Sequence, residues 1–284
     1  MTISVSEAKP SAAIAQRRGG EPAVVITGAS SGIGRAFALL ARQEAASIVC
    51  IGRSQQALAD LAEELRGNGA DAQSICVDLL DPNASAQIER SLTEQNLYCD
   101  VLINSAGLGA YGSAAALARD EHEGILAVNI RALTDLTLRF LPGMLARGRG
   151  GVINVGSIAG YFAGPSMAAY YASKAYVRSF SDALWAETRG TGVTVTCVNA
   201  GPTQTAFRER SRSGRTRLFK ILPRMTAQRV AEAGWQAFKS GRRSVVPGVV
   251  NRIIIAVATF LPRAATLRLI ALLQRPAQRS SAPG

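Results

Sequence analysis

From residue 23 onward, short runs of β-branched residues alternate with longer Ala- and Leu-rich stretches of helical spacing, and this alternation restricts the fold more than any other feature. Strands are expected over Ala23–Thr27, Ser47–Ile51, Ala72–Val77, Val101–Asn104, Gly151–Val155 and Val193–Asn199, with Ser244–Val246 as a candidate seventh. Helices are expected over Ile33–Glu44, Gln55–Arg66, Ala84–Gln95, a long Glu121–Leu145 and Ala168–Thr188. Strands separated by helices pair in parallel through crossover connections. The run Ala23-Val24-Val25-Ile26 is continuously apolar, as a strand covered on both faces requires. No repeat or linker interrupts residues 23–204, so the expectation is α/β: one doubly wound parallel sheet of about seven strands flanked by helices. Residues 1–22 read as a flexible tail, 23–248 as the folded domain, and 249–284 as a basic, apolar C-terminal extension.

The first strand runs into Thr27-Gly28-Ala29-Ser30-Ser31-Gly32-Ile33-Gly34, after which a helix begins. Glycines let such a turn tighten and let backbone approach a pyrophosphate, while the helix N-terminus supplies free N–H groups and a favourable dipole. The spacing is Gly-x-x-x-Gly-x-Gly, so it is the placement between strand and helix that makes the loop a dinucleotide site rather than an ordinary turn. The second strand ends at Ile51-Gly52-Arg53. A carboxylate here would bond the ribose 2′-hydroxyl of NAD; Gly52 stands at that place, and the Arg53 guanidinium suits a 2′-phosphate. NADP(H) is therefore expected over NAD(H), with Arg35 as a second candidate cation.

Further on, Ser157 follows the fifth strand, and Tyr170 and Lys174 come after it, four residues apart and so on one helix face. Alone, a Tyr-x-x-x-Lys pair is more often a packed Tyr beside a solvated Lys. Joined to a phosphate loop it has a chemical use. Hydride transfer to a carbonyl creates an alkoxide that must be protonated, and a phenol near pKa about 10 needs help to trade protons at neutral pH. An adjacent ammonium provides it, and a serine hydroxyl can hold the carbonyl oxygen.

In this order the residues resemble the short-chain dehydrogenase/reductase family, across roughly residues 23–250. The loop at 27–34 resembles that family's cofactor loop, Asn104-Ser105-Ala106-Gly107 its Asn-Asn-Ala-Gly segment with Ser105 as a departure, and Asn129, Ser157, Tyr170 and Lys174 its catalytic tetrad. The resemblance implies a Rossmann-like sheet. It makes Tyr170 the general acid/base, Ser157 the holder of the substrate oxygen, Lys174 the residue that binds the nicotinamide ribose and lowers the Tyr170 pKa, and Asn129 the support of a proton-relay water. Gly28, Ser30, Ser31, Gly32, Ile33, Gly34, Arg53, Asp78, Leu79, Asn104, Ala106, Gly107, Gly201, Thr203 and Thr205 join Tyr170 and Lys174 as the cofactor set. The turn Asn199-Ala200-Gly201-Pro202-Thr203-Gln204-Thr205 has Ala200 where the family usually has Pro. Its form resembles a bacterial subgroup similar to the protein named for D-alanine transfer accessory function, and to microsomal 3-ketoacyl and 17-hydroxysteroid reductases. A homodimer or homotetramer is implied as well.

The C-terminal third differs in character. Residues 205–284 carry 16 basic and 2 acidic side chains, net +14, whereas the rest of the chain is close to neutral. Arg208, Arg210, Arg212, Arg215, Arg217, Lys220 and Arg224 fall in the segment that follows the cofactor turn. They read either as an exposed lid or as a binding surface for an anionic substrate. The stretch 249–275 is apolar with spaced arginines and admits four readings: core helix, oligomer face, peripheral membrane helix or substrate-access helix. Phe207, Leu108, Tyr111, Tyr161, Phe162 and Met167 are candidates for an apolar pocket. Cys50, Cys76, Cys99 and Cys197 have no metal-ligand spacing and read as reduced thiols of a cytoplasmic protein, and the lone His122 argues against a metal site. The leading expectation is an NADP(H)-dependent oxidoreductase that interconverts a carbonyl and a secondary alcohol on a small, apolar substrate. Reduction of 3-oxoacyl thioesters is its special case. A nucleotide sensor or nucleic-acid binder on the same fold is the competing class; the intact tetrad weighs against it, and no nucleic-acid partner is expected.

Overall fold

The computed structural model describes residues 20–275 except 46, 214–215 and 218–220. The expected segments 1–19 and 276–284, with Arg215 and Lys220, lie outside the described residues. The elements run β1 Glu21–Thr27, α1 Gly32–Ala41, β2 Ser47–Gly52, α2 Gln55–Gly67, β3 Asp71–Cys76, α3 Ala84–Glu94, β4 Leu97–Asn104, α4 Arg119–Leu126, α5 Leu133–Arg147, β5 Gly151–Ser157, α6 Ala168–Glu187 and β6 Thr194–Ala200. They continue with β7 Thr203–Gln204, α7 Phe207–Arg210, β8 Met225–Thr226, α8 Ala227–Lys239, β9 Ser244–Val245, α9 Val249–Phe260 and α10 Arg263–Gln274. The main sheet has seven parallel strands in the order β3-β2-β1-β4-β5-β6-β9.

Both faces of this sheet are covered, and alternate residues of one strand serve the two cores. Ala23 and Val25 of β1 and Val49 and Ile51 of β2 pack toward Ile88 of α3 and Leu136, Phe140 and Met144 of α5. Their neighbours Val24, Ile26, Ile48 and Cys50 pack toward Phe37 of α1, Leu58, Leu61 and Leu65 of α2 and Trp235 of α8. A polar seam also crosses the core. Asn104 donates to Thr137 (3.1 Å) and Asn154 (2.9 Å), and Asn154 donates to Ser181 (3.0 Å).

The strand order reverses at β1, with β2 on one side and β4 on the other, so the loops leaving β1 and β4 diverge and open a crevice at the carboxyl edge. The single long helix expected over Glu121–Leu145 is instead interrupted. A π-helical turn at Ala127–Ala132 separates α4 from α5. This wider turn holds the buried Asn129, whose amide is committed to groups outside the helix: Oδ1 accepts from Leu108 N (2.8 Å), and Nδ2 donates to Leu108 O (2.9 Å) and Ser173 Oγ (2.9 Å). The sequence does not mark such a turn, because it is a single irregular turn inside an otherwise helical stretch and is fixed by the tertiary partners of Asn129. Helix α1 also stops at Ala41, three residues before the expected end.

Candidate active site

Four strand ends converge on the crevice. After β1 the chain turns through Gly28 at φ +66°, and a Cβ there would lie 2.9 Å from the Ala106 backbone. Only glycine accepts both conditions. Thr27 Oγ1 accepts hydrogen bonds from the backbone N–H groups of Ser105 and Ala106, both at 3.1 Å, and so ties the loop after β4 to the end of β1. Gly34 sits in the first turn of α1, where a Cβ would come within 2.3 Å of the Gly28 carbonyl oxygen. Helix and loop can approach this closely only without a side chain.

These ends open on a cavity of about 560 Å³, well within the range for a small-molecule site. Gly28, Ser30, Ser31, Gly32, Ile33, Arg53, Asp78, Leu79, Ala106, Gly107, Gly201, Thr203 and Thr205 line it, together with Ser157, Tyr170 and Lys174. Three expected residues do not. Gly34 acts on the loop's shape from behind it. Asn104 turns its side chain into the core seam rather than along the adenosine half of a cofactor. Asn129 lies behind Gly107, where an added Cβ would sit 3.5 Å from Asn129 Oδ1 and 3.7 Å from Lys174 Nζ. Arg35 is held in an ion pair with Glu64, against the expectation that it serves as a second cation for the cofactor. Arg53, by contrast, is exposed at the cavity wall. A side chain at Gly52 would meet Ser30 Oγ and Leu58 at ordinary contact distance (3.5 Å), so a carboxylate is missing there by sequence and not for want of room.

The chemical centre comes from β5 and α6. Ser157 ends β5, where its Oγ accepts from Ala159 N (3.1 Å), and it lines the cavity together with Tyr170. Lys174, one turn along α6 from Tyr170, is only 6% exposed and donates from Nζ to Val155 O (2.9 Å). Nζ lies 6.0 Å from the Tyr170 ring centroid. Burial lowers the Lys174 pKa to about 8. Burial also raises the Tyr170 phenol above its ordinary value, and the nearby Ser157 hydroxyl opposes that rise. The chain's own groups therefore keep Tyr170 protonated. In the chain alone the Lys174 ammonium is turned to Val155 O and lies beside the Tyr170 ring.

Of the apolar candidates, Leu108, Phe162, Met167 and Phe207 line the cavity, and the Phe207 ring lies 5.3 Å from that of Tyr170. Tyr111 instead donates to Gln274 O (2.7 Å), and Tyr161 lies under the Arg178 guanidinium (4.4 Å). The structure adds a wall that no motif marks: α9 and α10 contribute Ile254, Ala258, Ile270 and Leu273, and Gln274 reaches Tyr171 Oη (2.6 Å). The only sequence signal for Gln274 is a lone amide closing an apolar run.

A parallel sheet with a glycine-lined crevice at its switch point, and a Ser, Tyr and Lys inside that crevice, define a dinucleotide-dependent oxidoreductase. The family model for short chain dehydrogenases matches residues 22–216, and the chain belongs to that family of nicotinamide-dependent oxidoreductases. The ketoacyl reductase HetN of Nostoc is 32% identical over 78% of this chain and 77% of its own length. A short chain dehydrogenase of Pseudocercospora fijiensis is 34% identical over 62% of this chain, but the match spans only 58% of that relative. Among solved structures, a short-chain dehydrogenase from Sphingobium yanoikuyae in complex with NADPH superposes with a TM-score of 0.73 at 27% identity, covering 86% of this chain and 97% of that one.

Proposed function

We propose that the protein is an NADP(H)-dependent reductase or dehydrogenase that interconverts an apolar ketone and its secondary alcohol, with Tyr170 as the general acid/base. One observation carries this reading: Ser157, Tyr170 and Lys174 line the same cavity that the glycine loop lines. The residues present fit the cofactor. The crowding at Gly28 and Gly34 shapes a cradle for a pyrophosphate, and Arg53, with no acid at Gly52, suits a 2′-phosphate. When bound, a nicotinamide supplies or accepts the hydride. Lys174 and Asn129 flank Gly107 on the side where a ribose would be held.

In the direction of reduction, Ser157 Oγ donates to the carbonyl oxygen and orients it. Tyr170 Oη gives its proton to that oxygen as the carbon is reduced. A protonated Tyr170, as the chain itself maintains, is the form a reductase needs at that moment. Lys174 lies beside the ring, where its positive charge stabilises the phenolate left behind. Leu108, Phe162, Met167 and Phe207 exclude water and favour an apolar substrate. The similarity to a ketoacyl reductase supports a long-chain 3-oxoacyl compound as one such substrate.

The test is NADPH oxidation against a panel of ketones, aldehydes and acyl thioesters, comparing wild type with Tyr170→Phe. Turnover of an apolar ketone that falls by at least about 100-fold in Tyr170→Phe is expected; equal turnover would refute Tyr170 as the acid. Arg53→Asp should move the preference from NADPH toward NADH, and unchanged selectivity would remove Arg53 from the site.

A further inference from the structure

The two C-terminal helices have an inner and an outer side of unequal character. On the inside, α9 is anchored by the buried Asn251, which donates to Pro247 O (2.7 Å) and packs against the Gly201 turn. Helix α10 is anchored by Gln274, whose carbonyl accepts from Tyr111 and whose amide reaches Tyr171. On the outside, both helices present apolar residues to solvent. Phe260, at the end of α9, is 89% exposed, and Val249, Leu267 and Leu272 are exposed as well. Globular surfaces carry single exposed apolar residues freely, but a set repeated along two consecutive helices that line one cavity marks an interaction face.

Ile253 and Val257 belong to both sides at once. They line the catalytic cavity and are 56% and 55% exposed. Leu261 and Leu269 share this double position. The rim of the cavity on this side is therefore apolar and opens onto the apolar face itself. A water-facing entrance for a soluble substrate has no need of such a rim. The same two helices and the turn after them also carry Arg252, Arg263, Arg268 and Arg275, all exposed, and among the described residues no ion pair engages any of them.

We infer that α9 and α10 dock on an anionic lipid surface, and that the apolar substrate enters the catalytic cavity from that surface between the two helices. The entry route rests on the reductase reading above; the docking itself does not. No helix among the described residues is long and apolar enough to cross a membrane. Each of the two has 12 residues and spans roughly 18 Å, shorter than a hydrocarbon core of about 30 Å. Apolar faces with flanking arginines then lie in the interface, the side chains reaching toward headgroups. A second copy of the chain is a poorer occupant. A two-fold contact sets a patch against itself, so it would bring unpaired arginines from a region of net charge +14 against their own counterparts.

The experiment is flotation of the full-length protein with phosphatidylcholine vesicles, with and without phosphatidylserine, at low and high salt. Size-exclusion chromatography and turnover of a water-soluble ketone are run alongside. Arg263→Gln combined with Arg268→Gln removes two cations outside the cavity; Phe260→Ser combined with Leu267→Ser removes two apolar residues outside it. The expected result is binding that requires phosphatidylserine and weakens with salt. The arginine pair should lower the affinity by on the order of 10–30-fold, at about fivefold per cation near an anionic surface. The apolar pair should also weaken it. Both variants should turn over the water-soluble ketone like wild type but show a raised KM for an apolar ketone dissolved in the vesicles. Wild-type protein that ignores phosphatidylserine would overturn the inference. So would an apolar-pair variant that dissociates an oligomer while leaving vesicle binding unchanged. If wild type reduced no ketone at all, the reductase reading would fail, while the vesicle result would still decide the docking.

Discussion

Replacing Lys174 with Met should make the protein more stable while disabling it. Lys174 is buried, and burial lowers its pKa from 10.5 to about 8. At neutral pH the ammonium is charged in the folded and unfolded chain alike, so the folded state carries the whole penalty of burying that charge. A shift of this size corresponds to about 3 kcal/mol. Met has a similar length and no charge. The substitution also deletes the hydrogen bond from Nζ to Val155 O, worth about 1 kcal/mol. The net gain is about 2 kcal/mol at pH 7, or a melting temperature higher by roughly 5 °C. The pH dependence tests the cause. Between about pH 8 and 10.5 the unfolded wild-type chain holds a proton that the folded one has released, so wild-type stability rises with pH across that window. The gap to Lys174→Met should shrink accordingly. Urea denaturation of both proteins across this range, without added nucleotide, measures it. A variant less stable than wild type at pH 7, or a gap that stays flat up to pH 10, would refute the assignment of the penalty to a buried charge. In activity, the variant should lose at least about 100-fold through the missing positive charge beside Tyr170.

Three shorter predictions follow from other residues. Ser157→Ala removes the hydroxyl that opposes the rise of the Tyr170 pKa, so in alcohol oxidation, where the phenolate is the base, the pH profile should move to higher pH as the rate falls by about 100-fold; a profile that keeps its position argues that the two hydroxyls do not interact. Gly34→Ala forces a Cβ to within 2.3 Å of the Gly28 carbonyl oxygen; it should destabilise the protein by about 1–3 kcal/mol and weaken nucleotide binding by titration calorimetry, and wild-type affinity would show that the loop tolerates displacement. Cys50 and Cys197 are buried with thiols pushed up to about 12, Cys99 is buried with its thiol pushed up too, and Cys76 is exposed; iodoacetamide should therefore modify Cys76 alone in the native protein, and a second adduct by mass spectrometry would show that one of the strands opens.

The sequence by itself determined the sheet and much of the crevice wall. Strands buried on both faces must be continuously apolar, and crossover helices must separate them, so the central strands β1, β2, β4, β5 and β6 stand out as apolar runs, while the edge strand β3 (Asp71–Cys76) shows only as a short run between two helical stretches. Glycine spacing at residues 28–34 marks the loop because only a chain without Cβ can close there, and the Ser157, Tyr170 and Lys174 spacing implies one helix face opposite a strand end. Tertiary structure decided what depends on contacts between distant segments. The π turn that holds Asn129 is selected by Leu108 and Ser173, 21 and 44 residues away. Asn104 serves the core seam because Thr137 and Asn154 happen to meet it. Arg35 is spent on Glu64, and only the packing of α1 beside α2 brings that acid within reach. Above all, 249–275 admitted four readings as a string, because apolar residues with spaced arginines fit each of them. Folding resolves its inner side: Asn251 and Gln274 anchor it over the catalytic cavity, and the same helices leave Phe260 and its neighbours facing outward.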